Sequence, residues 1–436
     1  MLKLDFINQI SAKGRFLRDR SGQFAVMTAL GAIPLCLGIA MAIDFSRMVE
    51  ARTDIQQAAD AATLSAVSNA SKNFSNGGTF DQAWTEASAK KEAIDLFKAN
   101  FPAAQGYTFS DVTFDVNRIG VALTATMSAK VTVPMFFMGL TGMESSAIQV
   151  NSVASNTVSP YTDVYVLADN SPSMAIGATP TDIQALERVI GCAFACHNLS
   201  TPVDTFKIAV DAKIPLRIDA TREALAGLIS TIGETTSQNE QYRIAGYHFG
   251  TSGANRTVTN FIPQTTNLDQ AAINSLGLTL MGIPSSGYNN QMLTDLKLMM
   301  SQMQTIIGKA GTGESKTARQ KLLMVITDGV NTTLRPTDCP IPMNGYGQCQ
   351  SPIDPKWCDG LKENGVKIAV LYTTYYPVNS DGWYRSYIKP ISANLPVKLA
   401  ACASPDMFAE VQPHQGIKEA LQALFKKTKT NPRLTN

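Results

Sequence analysis

Residues 24–43, "FAVMTALGAIPLCLGIAMAI", contain no charged side chain. Twenty residues of α-helix rise about 30 Å, the thickness of a bilayer's hydrocarbon core. Backbone in hydrocarbon must satisfy its own hydrogen bonds, so such a stretch crosses a membrane as a helix, and Pro34 inside it is tolerated. This feature divides the chain before any other is considered. Lys13, Arg15, Arg18 and Arg20 precede the span, and a mixed set, Asp44, Arg47, Glu50, Arg52 and Asp54, follows it. The positive-inside rule places residues 1–23 in the cytoplasm and everything beyond about 44 outside. "AMA" at 40–42 would serve as a signal-peptide cleavage site. The apolar run, however, exceeds the roughly 7–15 residues of a signal h-region, so a retained single-pass anchor is expected.

Cysteine usage agrees with export. Cys36 lies within the span; Cys192, Cys196, Cys339, Cys349, Cys358 and Cys402 all lie in the second half. An even set in one region reads as a disulfide framework in an oxidising compartment. Zinc is the rival, but no CxxC pair and no HxxxH is present. Cys192 with Cys196, Cys339 with Cys349 across a turn-rich loop, and Cys358 with Cys402 are the expected pairs among 15 pairings. "GCAFACH" has three residues between its cysteines where a haem-attachment motif has two, so no haem is expected. The formal net charge is +2, which provides no electrostatic reason for a nucleic-acid partner.

Past the span, "ARTDIQQAADAATLSAVSNA" continues as a helix from 45 to 72. Ile55, Ala58, Ala59, Ala62 and Ala66 make a narrow face of small residues, suited to close packing against this domain or against a partner helix. A second helix is expected over 81–99. "YTFSDVTFDV", "IGVALTATMSAKVTV" and "SSAIQVNSVASNT" alternate as strands. Residues 45–157 thus read as an α+β arrangement of long helices and a small antiparallel sheet, like that of pilins and pseudopilins.

After "TVSPYT" the pattern changes. "DVYVLAD", "YRIAGYHFG", "KLLMVITDG" and "VKIAVLYTTY" are short buried strands. They alternate with helices at 219–232, along "NNQMLTDLKLMMSQMQTII" and along "GIKEALQALFKKT". Alternation of this kind predicts a parallel sheet covered on both faces. Ligands of open parallel sheets bind at the carboxyl ends of the strands. Asp169 and Asp328 each end an apolar strand and so fall on one rim. In "DNSPS", Asp169, Ser171 and Ser173 can converge from one tight loop, and hard oxygen ligands suit Mg²⁺ or Mn²⁺.

The order apolar strand, "DNSPS", helix, strand, "LLMVITDG" resembles a von Willebrand factor A domain. The resemblance implies a metal-ion-dependent adhesion site with Asp169, Ser171 and Ser173 in the first loop and Asp328 in the third. The second loop of that family supplies a Thr. Here "GIPSSGYNNQML" has none, so Asn289 or Asn290 is the substitute, and Thr294 is expected to be helical already. Family precedent implies that the ion's open position takes a partner's carboxylate.

"RSGQFAVMTALGAIPLCLGIAMAIDFSRMVEARTDIQQAADAATLSAV" resembles the TadE/TadG-type pilus-assembly segment. Together the two resemblances imply a TadG-like protein of tight-adherence (Flp-type) pilus systems. They imply a cytoplasmic N-terminus (1–23), a transmembrane helix (24–43) and a helical and β stalk (44–157). An A-type doubly wound domain (158–430) would follow, with insertions near 174–215 and 330–360, and then a tail (431–436). Prepilins carry Glu five residues after the cleaved Gly; after Gly22 that position is Met27, so no processing is expected. The implied location is the bacterial inner membrane with the bulk periplasmic, and the implied partners are other pilus-assembly proteins or pseudopilins. The expected function is non-enzymatic assembly or anchoring of the pilus, with an envelope adhesin binding an extracellular ligand as the alternative. His197, His248 and His414 sit beside no matched nucleophile and acid. No nucleotide loop is present either, so a periplasmic redox or hydrolytic enzyme is the remote third reading.

Overall fold

The computed structural model describes residues 22–75, 82–101, 106–119, 121–157, 159–193, 205–236, 239–251, 257–281, 294–412, 416–428 and 433–434. The expected span and the helix after it are one continuous helix, α1 (Gln23–Ser75), about 80 Å long at 1.5 Å per residue. Its first part leaves Phe24, Leu30, Ile33 and Leu35 exposed. Its later part buries Ala51, Ile55, Ala58, Ala59, Ala62, Ala66, Val67 and Ala70. The small-residue face therefore packs within the chain. It lies with α2 (Gln82–Asn100) against a sheet of β1 (Thr108–Ile119), β2 (Ala122–Pro134) and β3 (Ser145–Thr157). Alanines let the helix approach the pleat closely, and Gln56 of α1 donates to the Asn151 carbonyl of β3 at 2.8 Å. The three strands pair antiparallel in sequence order.

The following residues form a six-stranded doubly wound sheet. Its strands are β4 (Thr162–Ala168), β5 (Tyr242–His248), β6 (Thr259–Thr265), β7 (Gln320–Thr327), β10 (Lys367–Thr373) and β11 (Phe408–Val411). They lie in the order β11-β10-β7-β4-β5-β6, all parallel except edge strand β6. The chain starts in the middle, winds outward to one edge and then to the other, which makes the β4/β7 junction a switch point. β4 alternates between two cores. Tyr165 and Leu167 enter one, and Val164, Val166 and Ala168 the other.

The helices divide accordingly. α3 (Pro180–Ile190), α4 (Thr205–Asp211), α5 (Arg217–Thr235), α6 (Leu268–Ser275) and α10 (Ile417–Lys426) cover one face. α7 (Leu296–Ile307), α8 (Asp359–Glu363) and α9 (Asn394–Cys402) cover the other. The methionine face of α7, Met299, Met300 and Met303, is core.

A hairpin of β8 (Val330–Leu334) and β9 (Gln348–Pro352) rises just after Asp328. Cys339–Cys349 closes it, and Cys358–Cys402 ties the segment before α8 to the end of α9; both pairings match the sequence reading. Cys192 is disulfide-bonded; its expected partner Cys196 lies outside the described residues. Finally β12 (Arg433–Leu434) returns to the first sheet and pairs antiparallel with β3 at Ala154 and Ser155.

Candidate functional site at the carboxyl rim of the sheet

β4 and β7 are neighbours, with Ala168 opposite Ile326, so the residues that follow them meet. Asp169 is fully buried. One carboxylate oxygen accepts the Ser171 amide at 2.9 Å and the other accepts the Thr327 hydroxyl at 2.8 Å. These bonds turn the chain so that Ser171 Oγ and Ser173 Oγ lie 2.9 Å apart. Ser173 Oγ in turn donates to Asp328 Oδ2 at 2.5 Å. The two loops are thus one cluster. Asp169, Ser171, Ser173 and Asp328 converge as the "DNSPS" and "TDG" patterns predict.

The glycine of "TDG" has a structural cause. Gly329 holds φ +76°, where a side chain is strained, and an added Cβ would lie 2.7 Å from Leu399. Its amide donates to Thr327 Oγ1 at 3.0 Å, and the Val330 amide donates to Asp328 Oδ1 at 3.2 Å.

Two residues that the sequence reading missed complete the floor. The Tyr375 hydroxyl donates to Asp328 Oδ2 at 2.6 Å. Arg217, at the start of α5, is 2% exposed and places Nη1 3.5 Å from the same oxygen. Its Nη2 donates to the carbonyl and hydroxyl of Thr373, both at 2.8 Å, and its guanidinium lies over the Tyr375 ring. Nothing in "PLRIDATR" marks Arg217 as other than a surface residue of an amphipathic helix; only the crossing of α5 over the strand ends brings it here.

Burial pushes Asp169 up to about 7, helped by the negative charge of Asp328 and opposed by the Ser171 and Thr327 hydrogen bonds. Burial raises Tyr375 well above the ordinary phenol range, and Asp328 adds to the shift. The phenol therefore stays a donor.

Asn170, also fully buried, ties the rim together. Its side-chain NH₂ donates to the Gly250 carbonyl at 2.8 Å and to the Thr279 carbonyl at 3.0 Å, and lies 3.2 Å from His248 Nδ1. Its Oδ1 accepts the Phe249 amide at 3.1 Å. One side chain thereby holds together the loops after β4 and β5 and the chain at Thr279. His248 Nδ1 accepts the Gly250 amide, so the ring is a buried structural acceptor whose own pKa burial lowers.

The second loop needs a correction. Thr294 is not helical. Asp295 caps α7 by accepting the Leu298 amide at 3.0 Å, and the helix begins at Leu296. Aspartate outranks the apolar residues around it as an N-cap, which stops the helix short of Thr294. Thr294 is buried, and its carbonyl accepts the amide of Thr332 on β8, close in sequence to Asp328. Asn289 and Asn290 lie outside the described residues, as do His197 and His414.

The donor set is suited to a hard divalent cation: two hydroxyls and two carboxylates, all oxygen, meeting at the strand ends. A divalent ion of that kind therefore fits these residues chemically. One feature works against it: Arg217 already supplies positive charge to Asp328.

Residues 22–69 match the Tad family, described as Flp pilus-assembly TadE/G-like. No curated protein matches the chain. Among solved structures, the pilus adhesin SpaC from Lactobacillus rhamnosus GG is 10% identical at a TM-score of 0.37, over 74% of this chain and 34% of SpaC. The chain thus spans about a third of SpaC. The von Willebrand factor domain of the type V pili tip protein Mfa5 from Porphyromonas gingivalis is 12% identical at a TM-score of 0.35, over 63% of this chain and 98% of that domain. Proximal thread matrix protein 1 of the mussel byssus is 11% identical at a TM-score of 0.34, over 61% of this chain and 47% of that protein.

Proposed function

We propose that this chain is a non-enzymatic, membrane-anchored component that assembles or anchors a tight-adherence (Flp-type) pilus through contacts of its exported A-domain. The observation that carries the reading is the match of residues 22–69 to the Tad family. That segment comprises the apolar run and the small-residue face that packs on the stalk sheet. The N-terminus is cytoplasmic, α1 crosses the inner membrane once, and the rim of the doubly wound sheet faces partners outside. Those partners are other pilus-assembly proteins or pseudopilins.

Mg²⁺ or Mn²⁺ would be held by Asp169, Ser171, Ser173 and Asp328, with Asn289, Asn290 or the buried Thr294 as the residue to complete the ring. When bound there, the ion would supply a Lewis-acidic position for a partner's carboxylate. Asp328 would then serve both that ion and Arg217, whose Nη1 stands 3.5 Å from the carboxylate. Asn170 and Tyr375 keep the loops in place whether or not the ion is bound.

Surface pili counted by electron microscopy test the reading. A strain lacking the chain is expected to lose pili, wild type to restore them, and Asp169→Ala to restore few or none. Unchanged pili in the deletion strain would discard assembly and bring forward direct adhesion to an extracellular ligand. Full restoration by Asp169→Ala would leave assembly standing and remove the rim from it.

A further inference from the structure

Asp44 is the first charged residue after the apolar run 24–43, yet its side chain does not face water. It is 2% exposed, and its carboxylate accepts the backbone amides of Phe136, Phe137 and Met138 at 3.2, 3.0 and 2.7 Å. These residues belong to "MFFMGLTGME", 135–144, the loop between β2 and β3. The Met135 amide closes the loop on the Glu144 carbonyl at 2.9 Å, and Gly142 turns it with φ +92°. The loop is therefore fixed at the level where α1 leaves its apolar segment.

The side chains it presents are the wrong ones for water. Phe136 is 62% exposed, Phe137 42%, Leu140 82% and Met143 48%; Glu144 is the loop's one charged residue. On α1 beside it, Phe45 and Val49 are also exposed. Exposed apolar side chains thus stand on the span, on the turn of α1 that follows it and on the loop bound to Asp44. Exposed apolar side chains grouped in this way on a soluble protein mark an interaction surface. Arg47 lies over the Phe136 ring at 3.9 Å to its centroid, a pairing of aromatic and cation that suits the headgroup level of a membrane.

We propose that the 135–144 loop is a second membrane contact: a foot whose Phe136, Phe137, Leu140 and Met143 enter the outer leaflet of the bilayer that α1 crosses. The inference rests on the reading of residues 24–43 as a span. It adds what a lone helix lacks. One helix fixes neither tilt nor rotation in the bilayer; a foot held to Asp44 fixes both, because tilting away lifts the aromatic side chains out of the interface. The stalk and the domain beyond it then stand at a defined angle.

The test uses the full chain carrying Cys36→Ser, reconstituted in vesicles of phosphatidylethanolamine and phosphatidylglycerol. Nitroxide labels are placed one at a time through Leu140→Cys, Leu30→Cys and Ile119→Cys, and depth is read from oxygen against nickel-chelate accessibility. Ile119 is 78% exposed at the other end of the sheet, roughly 40 Å away along the 13 residues of β2. The expected result is Leu30 deep, Leu140 within about 5–10 Å of the headgroup boundary and Ile119 in water. A Leu140 label as aqueous as Ile119, with Leu30 deep, overturns the foot and leaves the span standing. An aqueous Leu30 overturns the span and the foot with it. Met143→Cys repeats the reading at a second exposed position, so that one misfolded variant cannot decide the outcome.

Discussion

Arg217 brings to the rim a positive charge that no motif names. The rim has two carboxylates, Asp169 and Asp328, and one guanidinium within 3.5 Å of Asp328. With Asp169 raised to about 7 by burial and by its neighbour, the metal-free cluster approaches neutrality. A divalent ion must share Asp328 with Arg217 or draw it away. Replacing Arg217 with Met removes the competing charge while keeping an unbranched apolar stem. The metal-free variant is expected to be less stable, since Asp328 is left as an uncompensated buried charge. Its affinity for Mg²⁺ is expected to rise about tenfold, the equivalent of about 1.4 kcal/mol. Calorimetric titration of the detergent-solubilised full chain compares wild type with Arg217→Met; equal affinities would show that the guanidinium does not compete. The motif pair "DNSPS" and "TDG" was legible as a rim cluster because each follows a short apolar run. Arg217, Tyr375 and Asn170 were not. Their hydrogen-bond partners lie 47 to 156 residues away in sequence, and no local pattern encodes which loop a buried amide or guanidinium will reach.

Among the strands of the second sheet, the buried ones were readable and the edges β6 and β11 were not. β4 and β7 are apolar over residues 164–168 and 322–326, the pattern of strands covered on both faces. β6 carries Pro263 and pairs irregularly with β5. Proline lacks the amide that a central ladder needs, so an edge is where such a strand can exist, and its sequence looks like a loop. Helix α7 began later than its apolar pattern because Asp295 caps it, which left Thr294 at the rim.

The disulfides secure the hairpin and the α8–α9 layer. Loop-closure entropy grows with the residues enclosed, so Cys358–Cys402, separated by 44 residues, should matter more than Cys339–Cys349, separated by 10. Removing each pair by Cys→Ala is expected to cost about 4 and about 3 kcal/mol respectively. Denaturant unfolding of the three proteins checks the order; a reversal would mean that native packing, not chain entropy, sets the contribution.

At the scale of the molecule, the stalk has two different ends. The β2–β3 loop sits with Asp44 at the exit of the apolar segment. At the far end, Arg118 of β1 loses favourable hydration but feels the charge of Glu314 from the second domain. The chain then closes on itself, since β12 brings its last described residues back to β3. Truncation after Thr428 is expected to raise deuterium uptake over residues 154–157 while leaving the buried strands β4 and β7 protected. Unchanged uptake would mean that β12 protects nothing.

The chain's own order of residues determined the long apolar helix, the α+β segment after it, the doubly wound class of the second sheet and two of the disulfides. Each of these follows from local hydrophobic period, turn chemistry or cysteine spacing, which act over a few residues at a time. Tertiary structure alone decided the rest. It chose the strand order, because side-by-side pairing of β4 with β7 depends on which faces the helices can cover. It brought Arg217 under Asp328 and Asn170 across three loops, because a buried polar group binds whatever partner the packed backbone presents. It also set the apolar loop beside Asp44, because a carboxylate sealed from water is stabilised by the three amides that one turn of chain holds out to it.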